Sequence, residues 1–134
     1  MTDTLQGAAD RLDAAQIGWL TTVSHGGQPQ ASPIWFVWHD DHIWLRSQAA
    51  AAKVANIAAH PKVAFHLDDD GQGGDVVTAE GTAEVVEQVP DAVRKAYLAK
   101  YGTLITERLK SKPEQLEAAY PISIRIRPKR ARSW

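Results

Sequence analysis

No cysteine occurs in this chain. That one absence excludes disulfides, thiolate metal sites and cysteine nucleophiles together. Long apolar runs are also missing, and none approaches the ~20 residues that a membrane span requires. Net charge is almost absent, at −1 with the histidines neutral. The overall field therefore offers nucleic acid no attraction. There is no GxGxxG turn, no phosphate-binding P-loop and no serine in a GxSxG elbow. Dinucleotide binding of the βαβ kind and serine-type acyl transfer lose their usual signatures. Met1 to Arg11 holds acids and lacks the apolar centre of a signal peptide. The expected location is the cytoplasm.

What is present fits a globular domain. A length of 134 residues suits one domain, read as residues 1–134. A chain of this size buries roughly two-thirds of its unfolded surface, so it needs no metal to fold. Apolar residues make up 44% and charged residues 23%, the ordinary balance of a packed protein. Charge is unevenly spread: Arg125, Arg127, Lys129, Arg130 and Arg132 lie in the last ten residues without an acid. That run reads either as a solvated strand face or as an anion site.

Thr2 and Asp3 are N-cap candidates for a short helix with Leu5, Ala8, Ala9 and Leu12 on one side. Residues 17–24 are rich in β-formers, and His25-Gly26-Gly27 reads as a turn. Pro29 suits a strand entry or an edge. Residues 32–39 predict one strand that is apolar on both faces through Ile34, Trp35, Phe36, Val37 and Trp38. Asp40-Asp41 predicts a hairpin turn, and residues 42–46 the returning strand. Ser47 then reads as the cap of an alanine-rich helix that Pro61 ends by His60. Strands follow over 62–67 and 75–86, the second with a kink at Gly81, separated by an acidic glycine-rich loop. Residues 90–101 predict a helix ended by Gly102, and residues 103–120 a second helical piece interrupted at Pro113. The last strand, 121–127, alternates Ile122, Ile124 and Ile126 against Ser123, Arg125 and Arg127. Two consecutive hairpins exclude a βαβ repeat. The fold class expected is mainly β with peripheral helices, a six-stranded antiparallel barrel.

Three groups of residues could carry chemistry. A capped helix start with Arg46 before it and Lys53 beyond it could hold a phosphoryl group, or could be an ordinary surface helix. Trp35, Phe36, Trp38 and Trp44 crowd one hairpin, as core or as the bed of a flat ring system. His39 and His42 flank a turn, but no third metal ligand is evident. Asp68-Asp69-Asp70-Gly71 lacks the closing glutamate of a calcium loop and reads as a solvated turn. No metal is expected.

Four segments together resemble the pyridoxamine-phosphate-oxidase-like split-barrel superfamily, and within it the branch of probable F420-dependent enzymes of actinobacteria. They are Gly18-Trp19-Leu20-Thr21-Thr22-Val23; Ser32-Pro33-Ile34-Trp35-Phe36; Lys53-Val54-Ala55-Asn56-Ile57 leading to His60-Pro61-Lys62-Val63; and Gly73-Gly74-Asp75-Val76-Val77 followed by Glu80-Gly81-Thr82-Ala83. The ending Pro128-Lys129-Arg130-Ala131-Arg132-Ser133-Trp134 also fits.

The resemblance implies an FMN-binding-like split β-barrel and a homodimer with two identical cofactor sites between the subunits. It implies that Ser32, Pro33, Ile34 and Trp35 line the ring system, that Arg46, Ser47, Lys53 and Asn56 lie about the phosphate, and that Arg132 and Trp134 help to build the groove. The cofactor implied is F420, with FMN as the alternative. The activity implied is an oxidoreductase acting on a small conjugated substrate, with a non-catalytic flavin, F420 or haem carrier as another reading. Such chemistry requires no side-chain nucleophile, and water or a hydroxyl such as Ser32 or Thr21 would give the proton. Relatives often carry a second cation two residues before the helix lysine, where this chain has Ala51. The phosphate grip is then weaker unless Arg46 or the basic tail substitutes.

Overall fold

A computed structural model describes residues 5–134. The expected caps Thr2 and Asp3 lie outside the described residues. A 3-10 turn, Leu5–Ala8, leads into α1, Ala9–Ala14. Leu5, Ala8 and Leu12 from this segment are buried in the main core. Seven strands follow in one antiparallel sheet: β1 Gly18–Val23, β2 Pro29–Ile34, β3 Phe36–His39, β4 His42–Ser47, β5 Lys62–Leu67, β6 Val77–Val86 and β7 Ile122–Ser133. Their spatial order is β2-β1-β5-β6-β7-β4-β3.

That order curls the sheet without pairing its two edges to each other. β2 and β3 are its two edges, yet Trp35 alone separates them in the chain. Consecutive Cα atoms are about 3.8 Å apart, so the edges must meet at Trp35. This corrects the expectation of one strand over 32–39 and raises six strands to seven. The run is apolar on both faces, so its pattern gave no sign that the backbone leaves one partner for another. Residues up to Ile34 pair with β1, and residues from Phe36 pair with β4.

The expected hairpin turn is present, with Asp40 and Asp41 at φ 54° and 58°. Two successive positive φ values give the turn whose twist suits a tight hairpin. The kink is present as well: the β6–β7 register shifts between Glu80 and Gly81. A Cβ at Gly81 would stand 2.2 Å from the Arg127 carbonyl oxygen, so this close approach requires glycine.

The alanine-rich helix, α2, spans Ala52–Ala59, with Ala51 at its N-cap. Ser47 is therefore not its cap. It ends β4, is buried, and donates its hydroxyl to the Gln48 carbonyl at 3.0 Å. Helix propensity favoured Gln48 to Ala50, but these three residues form the exposed turn between strand and helix.

Helix α3, Asp91–Thr103, packs Val93 on Val37 and Trp44 on the outer side of β3 and β4. It does not stop at Gly102. It continues through a π-helical turn, Leu104–Arg108, and α4, Pro113–Ala119, follows. Pro113 begins this last helix, where its missing N–H has no cost. Among the described residues, no helix is long and apolar enough to cross a membrane.

Candidate functional site

A cavity of about 240 Å³ opens where the two sheet edges meet. Pro33, Ile34 and Trp35 come to it from the β2 end, Arg46 from β4 and Lys53 from the first turn of α2. Tyr97 of α3 joins them, and Leu109, Leu116 and Tyr120 complete the wall. Five residues singled out from sequence thus converge on one space: Pro33, Ile34, Trp35, Arg46 and Lys53. Tyr97, Leu109, Leu116 and Tyr120 had no such signal, because helical core spacing looks the same whether a helix covers a core or a cavity.

Trp35 forms a flat wall. Its ring stacks on Tyr101 at 4.5 Å with an interplanar angle of 1°. Tyr101 is fully buried and fixes the strand break from behind. Its hydroxyl accepts from the Phe36 amide at 2.9 Å. Its own proton goes to the Gln16 carbonyl at 2.7 Å, with the Phe36 carbonyl as a second acceptor at 3.0 Å. Burial raises the Tyr101 pKa to about 12.

The two cations of the cavity differ. Arg46 donates from Nε to the Tyr120 carbonyl at 2.9 Å and from an Nη to the Glu117 carbonyl at 3.1 Å. It thereby caps the end of α4, where a positive charge is favoured. Arg94 holds the same helix through its ion pair with Glu117 at 2.8 Å. Lys53, half-buried, makes no hydrogen bond or ion pair among the described residues. Burial lowers its pKa. No side chain caps α2; the Val54 amide donates to the Ala51 carbonyl at 3.1 Å, which leaves the amides of Ala52 and Lys53 at the helix start.

The remaining candidates lie outside this lining. Asn56 is buried and donates to Thr22 Oγ1 and to Gln30 Oε1, both at 2.9 Å. It ties α2 to β1 and β2 and so positions Lys53. Ser32 is half-buried on β2, and Thr21 lies along a shallow groove on the outer sheet. Arg132 shares a cross-strand row with the cavity: Pro33 faces Trp19, which faces His66, then Thr78, then Arg132. Four strand spacings separate its ends, about 19 Å. Trp134 is exposed beyond it, beside Arg11 and Asp75. One chain therefore does not bring Arg132 or Trp134 to the cavity.

His42 accompanies His39 across the β3–β4 turn and meets the Asp40 carbonyl through Nδ1 at 2.5 Å. Among the described residues no cluster of three or more metal-binding side chains occurs.

These residues fit part of a phosphorylated ring cofactor. An anion would meet Lys53 and the uncapped start of α2, and a flat apolar body would lie against Pro33, Ile34 and Trp35. The volume is below the ~300 Å³ at which small-molecule pockets usually begin. A single chain would enclose only a portion of such a molecule.

A family model described as pyridoxamine 5'-phosphate oxidase matches residues 5–134. Among curated proteins none matches the chain. Among solved structures, conserved hypothetical protein Rv2991 from Mycobacterium tuberculosis is 28% identical, with a TM-score of 0.77 over 100% of this chain and 86% of that one. An F420 reductase is 23% identical, with a TM-score of 0.68 over 90% and 92%. The haem storage protein HutZ from Vibrio cholerae is 17% identical, with a TM-score of 0.70 over 97% and 94%. The last two likenesses are of fold.

Proposed function

The chain belongs to the pyridoxamine 5'-phosphate oxidase family, and on that footing we propose that it is an oxidoreductase using the deazaflavin F420, with FMN as the alternative carrier. The observation that carries this reading is the unpartnered Lys53 beside the uncapped helix start, in the same cavity as the Trp35 wall. When bound, the reduced cofactor supplies a hydride equivalent to an electron-poor carbon of a small conjugated substrate.

The protein's part is placement. Lys53 and the first amides of α2 bind the phosphate. Pro33, Ile34 and Trp35 set the plane of the rings. Leu109 and Leu116 line the cavity, and Arg46 and Arg94 hold α4, which carries Leu116, in place.

The second wall comes from a second copy of the chain. On the outer sheet, Trp19, Thr21, Ala64, Thr78 and Thr82 share a face with Lys62, His66 and Glu80, continuous with Pro33 at the cavity rim. A twofold-related copy laid on this face would supply its own Arg132 and Trp134 to the groove.

F420 is favoured over FMN by charge. Arg125 is paired with Glu84 and sits 5.6 Å from the Trp44 ring. Arg127, Lys129, Arg130 and Arg132 are exposed and make no ion pair among the described residues. They can attract the several carboxylates of a polyglutamyl tail. Tryptophan quenching with F420, FMN and FAD tests this. F420 should bind most tightly at low salt and lose that preference as salt is added. Equal affinity for all three contradicts the choice of F420.

A further inference from the structure

Tyr97 lines the 240 Å³ cavity and also an adjoining space of about 50 Å³ beneath α3 and α4. Its ring packs against the stacked pair, 5.0 Å from Tyr101 and 6.4 Å from Trp35 between centroids. Its hydroxyl makes no hydrogen bond among the described residues, although the side chain is largely buried. The oxygen is not sealed in either: the enclosed side-chain polar atom left without a partner is His42 Nε2. Tyr97 thus brings an O–H with no protein partner to the lining of a cavity that Arg46 and Lys53 also line.

We propose that the Tyr97 hydroxyl binds the carbonyl oxygen of the substrate and delivers the proton that completes its reduction. This rests on the oxidoreductase reading above. The substrate is then a conjugated carbonyl compound, an enone or a quinone. Reduction would add a hydrogen with its bonding pair, supplied by the reduced deazaflavin, to the far carbon of the conjugated system. A new C–H bond forms there, the C=C π pair shifts along the chain, and the carbonyl π pair moves onto oxygen. That oxygen takes the phenolic proton of Tyr97, and solvent water restores it.

Burial raises the pKa of Tyr97, so the hydroxyl holds its proton until the oxyanion develops beside it. The Arg46 charge acts in the opposite sense and eases the transient phenolate. Ser32 and Thr21, the hydroxyls that the sequence offered, do not line this cavity.

4-Nitrophenolate is a stable, planar oxyanion whose absorbance reports binding without any turnover. Wild-type protein free of cofactor should bind it, and Tyr97→Phe, which keeps the ring contacts, should bind it at least tenfold more weakly. F420 affinity should change less than twofold in the same variant. In a turnover assay with cyclohexenone, kcat should fall at least tenfold. Equal binding of 4-nitrophenolate by both proteins, or no binding by the wild type at millimolar concentration, overturns the proposal. If F420 fails to bind the wild type while the nitrophenolate difference persists, the cofactor reading fails and the oxyanion site at Tyr97 stands.

Discussion

The hydroxyl of Tyr101 accepts a hydrogen bond from the Phe36 amide at 2.9 Å, across 65 residues of sequence. Phe36 is the first residue of β3, so this bond satisfies the backbone where the chain leaves one sheet edge for the other. The same ring stacks on Trp35 and sets the angle of the cavity wall.

Tyr101→Phe keeps the stack and removes the hydroxyl. The Phe36 amide and the Gln16 carbonyl then lose a buried partner, a loss of about 1–3 kcal/mol. Urea denaturation should show it as a lower midpoint with an unchanged slope. A midpoint equal to wild type contradicts the role given to Tyr101.

Lys100 gives the fold a signed pH dependence. Its Nζ donates to the Leu12 and Phe36 carbonyls, both at 3.0 Å, and lies 3.9 Å from the Phe36 ring centroid. Burial lowers its pKa from 10.5 to about 8, with Asp13 pulling weakly the other way. The folded chain therefore holds this proton less tightly than the unfolded chain. Stability rises with pH between about 8 and 10.5, is complete above the unfolded value, and is lost as pH falls through about 8. Above about pH 10 the buried Tyr97 and Tyr101 reverse the trend, because the unfolded chain ionises them first. From about pH 7.5 to 9.5 the wild-type Tm should rise, and that of Lys100→Met should rise less. Parallel profiles contradict this.

The proposed two-chain groove predicts a dimer joined through the outer sheet. Ala64 lies at its middle, between Thr21 of β1 and Glu80 of β6. Ala64→Glu puts a charge there without touching the core. Sedimentation should find wild type as a dimer and the variant as a monomer with at least tenfold weaker F420 binding. A monomeric wild type with full cofactor affinity contradicts the two-chain groove.

β1, β5 and β6 are legible because their burial alternates. Residues 62–67 read as a strand where β5 lies, and Gly81 reads as a kink where the register shifts. The break at Trp35 was not legible, since a strand apolar on both faces looks the same whether it pairs with one neighbour or changes partner. The Ser47 cap failed because alanine propensity is weak beside the packing that draws Ser47 into the barrel. At the site, Lys53 and Trp35 were legible from motif order. Tyr97 and Tyr101 were not, because four-residue spacing on α3 marks a buried face and does not say which hydroxyl lies free.

Titration of wild type and Lys53→Ala with F420, followed by tryptophan quenching at low salt, tests the central claim most directly. The account predicts at least a tenfold loss of affinity, about 1.4 kcal/mol, with the variant's Tm close to wild type and affinity recovered in Lys53→Arg. Superimposable binding curves for wild type and Lys53→Ala would contradict it.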